Sequence, residues 1–312
     1  MAVIVAKGPD TASHEKRRAM TASIATDASA TLRLAPGIQV FIRDAGAIQF
    51  GLDATRTGVF ELPSQPAVDV DRVAAVLMRL LTPTPATETL VSLHAVGLEF
   101  TVAGDLIDDL LAFRVLQRVA EAPVYLVGDS ALARATADIL RASGATVRHP
   151  VIDESEAHFI AAAHRSAPVL LVDRLPASRR LAPVLSRTRT VWLSGAVLDS
   201  HGMVGPVRLK GAGPCPMCVD LHRADADPAW GPVLAQLDGR APIPDPAVVA
   251  ATAACLATLT AQLAGLPAPP GARRADPVPG AVTELDATGV VRSYRLEPHP
   301  RCPVCFYLGP RP

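Results

Sequence analysis

The sequence predicts an α/β protein in two parts: a small module of strands followed by helices, then a doubly wound domain closed by a metal site. Three observations carry this. Residues 123–147 read strand, tight turn, helix, strand, which is how a doubly wound unit opens. Residues 31–116 hold short β-type runs and then apolar positions at helical spacing. Two C-x-x-C pairs, Cys215/Cys218 and Cys302/Cys305, lie far apart in the chain and have the spacing of metal ligands.

Taken in order, residues 1–30 mix Ser, Thr, Ala and charges without periodicity and are expected to be a flexible lead-in. The runs Ile38–Ile42 and Ala47–Gly51 flank Arg43-Asp44-Ala45-Gly46, whose Asp and Gly suit a hairpin turn. A third run, Gly58–Leu62, stops at Pro63. Val70, Val73, Ala74, Val76, Leu77, Leu80 and Leu81 recur every three or four residues and predict a helix. Thr87 is expected to cap a helix over 88–96, and 103–116 to form another. These elements make one module, 31–116, and the rest of the chain, 117–312, a second domain. There Val124–Val127 is a buried-strand run, 131–143 a helix and 144–147 a strand. Residues 168–173 and 190–193 supply further core strands. A cysteine-bearing loop is expected beyond Gly205, followed by a helix over 247–266, a Pro/Gly-rich connector to 280, and strands near 282–285 and 290–296.

Composition narrows the function classes. A chain of 312 residues with 49% hydrophobic content can build a sizeable core. Thirty basic and thirty acidic residues leave no net field to hold nucleic acid or an anionic membrane. Within 31–116, six arginines face ten carboxylates, the wrong sign for a DNA-reading winged helix. The N-terminal apolar run is too short for a secretory signal. Residues 247–266 are uncharged and long enough to span a bilayer, but are mostly Ala and Thr, so a buried helix is the better reading. A cytoplasmic protein with neither nucleic-acid nor membrane partners is expected.

The cysteines carry the sharpest chemical signal. Two two-residue knuckles let four thiolates close a tetrahedron around structural Zn²⁺; two disulfides or one redox-active pair are the competing readings. Cys255 sits mid-helix among Ala and Leu, where a thiol is inert. The turn Gly128-x-Ser130-x-x-Ala133 is a degraded dinucleotide fingerprint, with Ser130 where glycine would let backbone approach a phosphate. The next strand ends in Arg148-His149-Pro150 and offers no acidic ribose contact, so ATP and NAD are disfavoured. Asp220, His222, Arg223, Asp225 and Asp227 follow the first cysteine pair and suit support of the metal loop or an Asp–Arg lattice, and Trp230 suits an anchor on the core.

These residues carry a resemblance. The run from Pro123 to Cys305, with Gly128, Asp173, Cys215 and Cys218, the Ala-rich helix and the ending His299-Pro300-x-Cys302-Pro303-x-Cys305, resembles ThiF/MoeB-type adenylyltransferases. Val204-Gly205-Pro206 with CPMCVDLHRADADPAW is similar to cyclodehydratase-associated proteins of thiazole/oxazole-modified bacteriocin biosynthesis. The layout of 31–116 resembles the winged-helix-like PqqD-type leader-recognition module. The resemblance implies an N-terminal leader-binding module and a ThiF-type Rossmann-like domain with structural zinc. Its nucleotide site, Gly128, Ser130 and Asp173, is degenerate, and Arg179 and Arg180 only loosely match the family's phosphate contacts. It also implies a subunit without a catalytic residue, which binds a precursor's leader peptide and presents the core to a YcaO-type ATP-dependent enzyme; a homodimer is compatible with it. The leader would add a strand to the edge formed by Val59, Phe60, Glu61 and Leu62, with a helix over 104–116 walling the groove. The alternative is an active ATP-dependent adenylyltransferase acting on a protein or peptide C-terminus.

Overall fold

A computed structural model describes residues 3–5, 29–44, 46–62, 68–188, 190–237, 243–272 and 276–308. The chain divides into two compact units, Met1–Ala120 with Pro267–Arg274, and Glu121–Leu266 with Ala275–Pro312.

The first unit opens with β1 (Val3–Val5), a strand within the segment whose composition predicts a flexible lead-in; residues 6–28 of that lead-in lie outside the described residues. Then come β2 (Thr31–Leu34), β3 (Val40–Asp44), β4 (Ala47–Phe50), the short α1 (Ala54–Thr57) and β5 (Val59–Glu61). The helix α2 (Val70–Arg79) starts where Asp69 accepts hydrogen bonds from the amides of Asp71 and Arg72, and it buries Val70, Val73, Ala74, Val76 and Leu77. β6 (Thr84–Pro85), α3 (Ala86–Ala95), α4 (Phe100–Ala112) and β7 (Leu116–Arg118) complete the unit. Thr87 is not a cap: α3 begins after Pro85, and Thr87 lies inside its first turn. The last helix ends at Ala112 rather than 116, because Leu116–Arg118 pairs with β2 instead. One sheet runs β1-β5-β4-β3 and the other β6-β2-β7. Leu32, Phe50, Phe60, Leu77, Leu106 and Ile107 share one buried core.

The second unit is built on a seven-stranded sheet ordered β14-β13-β12-β11-β10-β8-β9. Four strands are parallel: β8 (Pro123–Val127), β9 (Thr146–Arg148), β10 (Val169–Val172) and β11 (Trp192–Leu198). β12 (His201–Arg208), β13 (Ala281–Asp286) and β14 (Val291–Arg295) extend it antiparallel. The sequence reading ends β11 at Leu193 and places a loop after Gly205. In the structure β11 and β12 form one long hairpin, and the first cysteine pair opens a helix.

The parallel strands are apolar on both faces because both are covered. Val124, Leu126, Leu170 and Val172 pack under α5 (Ala131–Ala142) and α10 (Pro246–Leu263). Tyr125, Val127, Leu171 and Trp192 pack on the other side against Phe159 and Ile160 of α6 (Glu156–Ala161) and Leu181 and Leu185 of α7 (Ser178–Thr188). Three further helices complete the unit: α8 (Pro216–Ala226), α9 (Trp230–Ala235) and α11 (Pro303–Leu308).

By length and composition α10 could cross a membrane. In this fold it buries Val248, Thr252, Ala253, Leu256, Ala257 and Thr260. Its buried hydroxyls are satisfied within the helix, Thr252 donating to Val248 O and Thr260 to Leu256 O, each at 2.6 Å. The helix lies close to the hairpin because glycine faces it twice. A Cβ at Gly195 would stand 2.4 Å from Leu256 Cδ2, and one at Gly202 would stand 1.6 Å from Thr252 Oγ1. Gly202→Ala is expected to cost about 1–3 kcal/mol, because Thr252 is β-branched and cannot swing aside. A shift in the denaturation midpoint reads this, and Thr252→Ala added to the same chain should recover part of it. Gly231→Ala, in α9 where a Cβ meets open space, should leave the midpoint unmoved or raise it slightly.

Candidate metal centre

Both cysteine knuckles have the sequence C-P-x-C, and both use the proline in the same way. Cys215 is the N-cap of α8 and Pro216 its first residue; Cys302 directly precedes Pro303, the first residue of α11. Proline suits this position, since its fixed φ fits the helix and its missing N–H would have no partner there. Each pair of sulfurs is thus set on the opening turn of a helix, where the positive end of the backbone dipole favours thiolate.

The structure brings all four together. Their ligand atoms lie within 4.8 Å of one another. The sulfur separations are 3.7 Å for Cys215–Cys218 and 3.5 Å for both Cys215–Cys302 and Cys218–Cys305. A disulfide bond needs roughly 2.05 Å, so these are four free thiols rather than two bridges. A tetrahedron with metal–sulfur bonds of roughly 2.3 Å has edges of roughly 3.8 Å, so the cluster fits a four-thiolate metal ion. Cys215, Cys218 and Cys302 are buried, as a closed site requires.

The surroundings oppose full ionisation of the four thiols in the absence of a cation. Donation to Cys218 and Cys305, with burial, pushes the Cys215 thiol up, whereas accepting from Cys215 and Cys218, with the Arg208 guanidinium beside it, pulls the Cys305 thiol down. Arg208 is buried, lies 3.9 Å from Cys305 Sγ, and is fixed by a hydrogen bond to Gly213 O at 3.1 Å. It supplies positive charge against the net negative charge of a four-thiolate site. The His299 amide donates to Cys218 Sγ, and Cys302 N–H closes back on His299 O at 3.0 Å.

The polar residues after the first knuckle form the Asp–Arg lattice. Asp220, buried, accepts from Arg179 Nε at 2.6 Å and from Trp230 Nε1 at 3.1 Å. Arg223 stacks over the Trp230 ring, its guanidinium carbon 5.0 Å from the centroid. Asp225 pairs with His299 Nε2 at 2.9 Å and with Arg301, and His222 meets Glu297 O at 2.9 Å. These bonds join α8 to the segment leading into the second knuckle. Sequence reading missed Arg208 as part of the centre, and singled out His299 within the ending motif without giving it a role. His299 stands three residues before Cys302, a detectable signal, while Arg208 carries none because its neighbours are strand residues.

Gly128, Ser130 and Asp173 also converge. Gly128 has φ +137°, and a Cβ there would sit 2.3 Å from Val172 O, so glycine is required for β8 and β10 to approach. Ser130 caps α5, accepting from Ala133 N at 3.1 Å, and its hydroxyl donates to Asp173. Asp173, in the left-handed region at φ +52°, accepts from Val197 N at 3.0 Å; burial raises its pKa against these hydrogen bonds. At the N-terminus of α5 the Ser130 hydroxyl is thus engaged with the Ala133 amide and, in turn, with Asp173. Arg179 pairs with Asp220, and Arg180 with Glu156 at 2.6 Å, where Arg174 also lies.

Cys255 sits in α10, partly buried, with its thiol pushed up by burial. Val59 and Phe60 are buried and Glu61 is exposed. The edge of β5 beyond them is not open, because β1 lies on it. This corrects the expectation of an exposed edge at Val59–Leu62.

The fold is similar to that of two solved heterocyclases. One is the heterocyclase TruD, at TM-score 0.50 and 14% identity over 88% of this chain and 43% of that chain. The other is a heterocyclase in complex with substrate and cofactor, at TM-score 0.52 and 16% identity over 89% and 40%. E. coli MccB matches at TM-score 0.44 and 10% identity over 88% and 96%. The chain spans about two fifths of the length of the two heterocyclases. No family model matches it, and no curated protein does.

Elemental analysis of protein purified without chelator is expected to find one metal ion per chain, and Cys218→Ser should abolish it and lower the thermal midpoint. Arg208→Met should keep the ion but weaken its affinity roughly 10–100-fold in chelator competition.

Proposed function

We propose that the chain is a zinc-stabilised, non-catalytic subunit that binds the leader segment of a ribosomally made precursor peptide and presents the core to a YcaO-type enzyme. In this reading residues 31–116 are the PqqD-like, winged-helix-like leader module and 117–312 the ThiF-like domain. The YcaO-type partner uses ATP to activate backbone amides for attack by Cys, Ser or Thr side chains. Cys215, Cys218, Cys302 and Cys305 hold Zn²⁺, which closes the site with four protein ligands and leaves no open position for chemistry. The zinc supplies rigidity; Arg208 balances its charge and His299 fixes Cys218.

The observation that carries the reading is the Ser130–Asp173 contact at the N-terminus of α5. A nucleotide-dependent fold presents that terminus to phosphate, and here the Ser130 hydroxyl caps it and donates in turn to Asp173. Arg179 and Arg180 pair with carboxylates, and Cys255, the thiol left outside the cluster, is inert. The likeness in fold to two heterocyclases supports the peptide-modifying setting. A cytoplasmic location goes with it, and a homodimer is compatible.

The second reading, an active adenylyltransferase, is favoured by the Gly128 turn at the carboxyl edge of a parallel sheet. ATP–pyrophosphate exchange separates the two: no exchange is expected, and exchange that depends on Asp173 would establish the second reading. Titration with the leader encoded beside the gene should give saturable binding that weakens with salt if the leader is basic, since the module is acidic. Absence of binding would end the first reading.

A further inference from the structure

In the second unit, the face of the sheet that packs against α6 and α7 borders a small cavity. Trp192 and Ser194, two residues apart on β11, form part of its wall. Arg174 and Ser178 line it from either end of the 3-10 turn Leu175–Ala177, which leads into α7, and Pro216 and Val219 line it from the opening of α8. It leaves about 10 Å3 for the centre of a water-sized atom, which is room for one such atom. Two of the lining side chains carry a buried donor without a hydrogen-bond partner among the described residues. One is the indole Nε1–H of Trp192, a fully buried residue, and the other is the Nε–H of Arg174. Buried donors are seldom left in this condition, because each has given up its hydration. The Ser194 hydroxyl hydrogen, by contrast, is spent on Gly205 O at 2.6 Å.

We infer that this cavity is a binding site for a monatomic anion the size of chloride, held by Trp192 Nε1–H and Arg174 Nε–H. Both unused groups are donors, and one belongs to a guanidinium. A water molecule would bring two hydrogens of its own that need acceptors, whereas an anion accepts from both donors and asks for nothing in return. The local charge has the right sign. Glu156 pairs with both Arg174 and Arg180, so these three side chains keep one positive charge between them. The carboxylates that adjoin the wall are engaged elsewhere: Asp173 accepts from Val197 N and Ser130, and Asp220 from Arg179 and Trp230. The thiolate cluster that begins at Cys215, next to Pro216, opposes an anion and holds the affinity to the millimolar range. The room available excludes sulfate and phosphate, which are several atoms across. A bound ion would join β11 to the turn before α7 beside the first turn of α8, and would stabilise the metal junction by mass action. The inference is independent of the leader-binding reading, and it uses none of Gly128, Ser130 and Asp173.

The test uses the full, metal-loaded chain. Trp192 and Trp230 are its two tryptophans, so Trp230→Phe leaves Trp192 as the sole indole emitter. Bromide, close to chloride in size and a heavy-atom quencher, is the probe, titrated against gluconate at constant ionic strength. Quenching of Trp192 should saturate in the millimolar range, chloride should reverse it, and sulfate should not. Arg174→Met in the same chain should weaken the apparent affinity at least tenfold, while Arg118→Met, an exposed arginine of the first unit, should leave it unchanged. Linear or absent quenching, or saturation that Arg174→Met does not alter, would overturn the site. A second measurement needs no change at either tryptophan. Replacing gluconate by chloride at 0.2 M, roughly a hundred times the expected dissociation constant, should raise the thermal midpoint of the unaltered chain by a few degrees, and Arg174→Met should remove most of that rise. A midpoint indifferent to chloride would mean that water alone occupies the cavity, and would overturn the inference.

Discussion

Four sulfurs within 4.8 Å of one another, on three buried cysteines and the half-buried Cys305, are the constraint around which the second unit is organised. Thiols brought this close cannot all ionise without a cation, and left protonated they would fill the junction with weak donors and acceptors. A tetrahedral ion resolves both problems. The consequence reaches beyond the ligands, because the knuckles belong to helices far apart in sequence. Cys215 and Cys218 open α8, Cys302 and Cys305 open α11, and both helices pack against α7. Without the metal, α11 would be a six-residue helix, far below the length at which helices hold themselves together. The Asp225–His299–Arg301 cluster and the Asp220–Arg179–Trp230 cluster brace the same junction from either side.

How much of this was legible in the sequence follows from the range of the interactions involved. The cysteine cluster was legible because its signal is local: each C-x-x-C fixes two sulfurs on one turn, and only their union depends on the fold. The run from Pro123 to Arg148 was legible because a strand buried on both faces reads as an unbroken apolar run, and the helix after it keeps its 3.6-residue period. The β11–β12 hairpin was only half legible. Leu198 and His201 are joined by Asp199 and Ser200 with Asp199 at φ +52°, whereas hairpin turns of this length usually announce themselves with glycine.

Shorter elements escaped altogether. Thr31–Leu34, Thr84–Pro85 and Leu116–Arg118 have two to four residues each, too few for alternation to show. Their pairing is a property of tertiary structure, which is also why residues 116–118 read as the continuation of a helix. β1 is the extreme case: a Val-Ile-Val run is common in any chain, and only its partner, distant in sequence, makes it a strand. Arg208 was hidden for the opposite reason. Its local pattern is an ordinary strand, and its role comes from Cys305, which reaches it across the fold.

The turn at Gly128 is held by packing and by hydrogen bonds within the chain. Gly128 remains because β8 and β10 cannot approach with a side chain there, a packing demand independent of any ligand. Ser130 is under no such demand. A serine at a helix N-cap stabilises the helix by about 1 kcal/mol whether or not phosphate is present, and its hydroxyl can satisfy a neighbouring carboxylate as well. Asp173 gains that hydrogen bond and the Val197 amide, which offset part of the cost of its burial. A phosphate entering here would have to compete with the hydrogen bonds that Asp173 accepts from Ser130 and Val197.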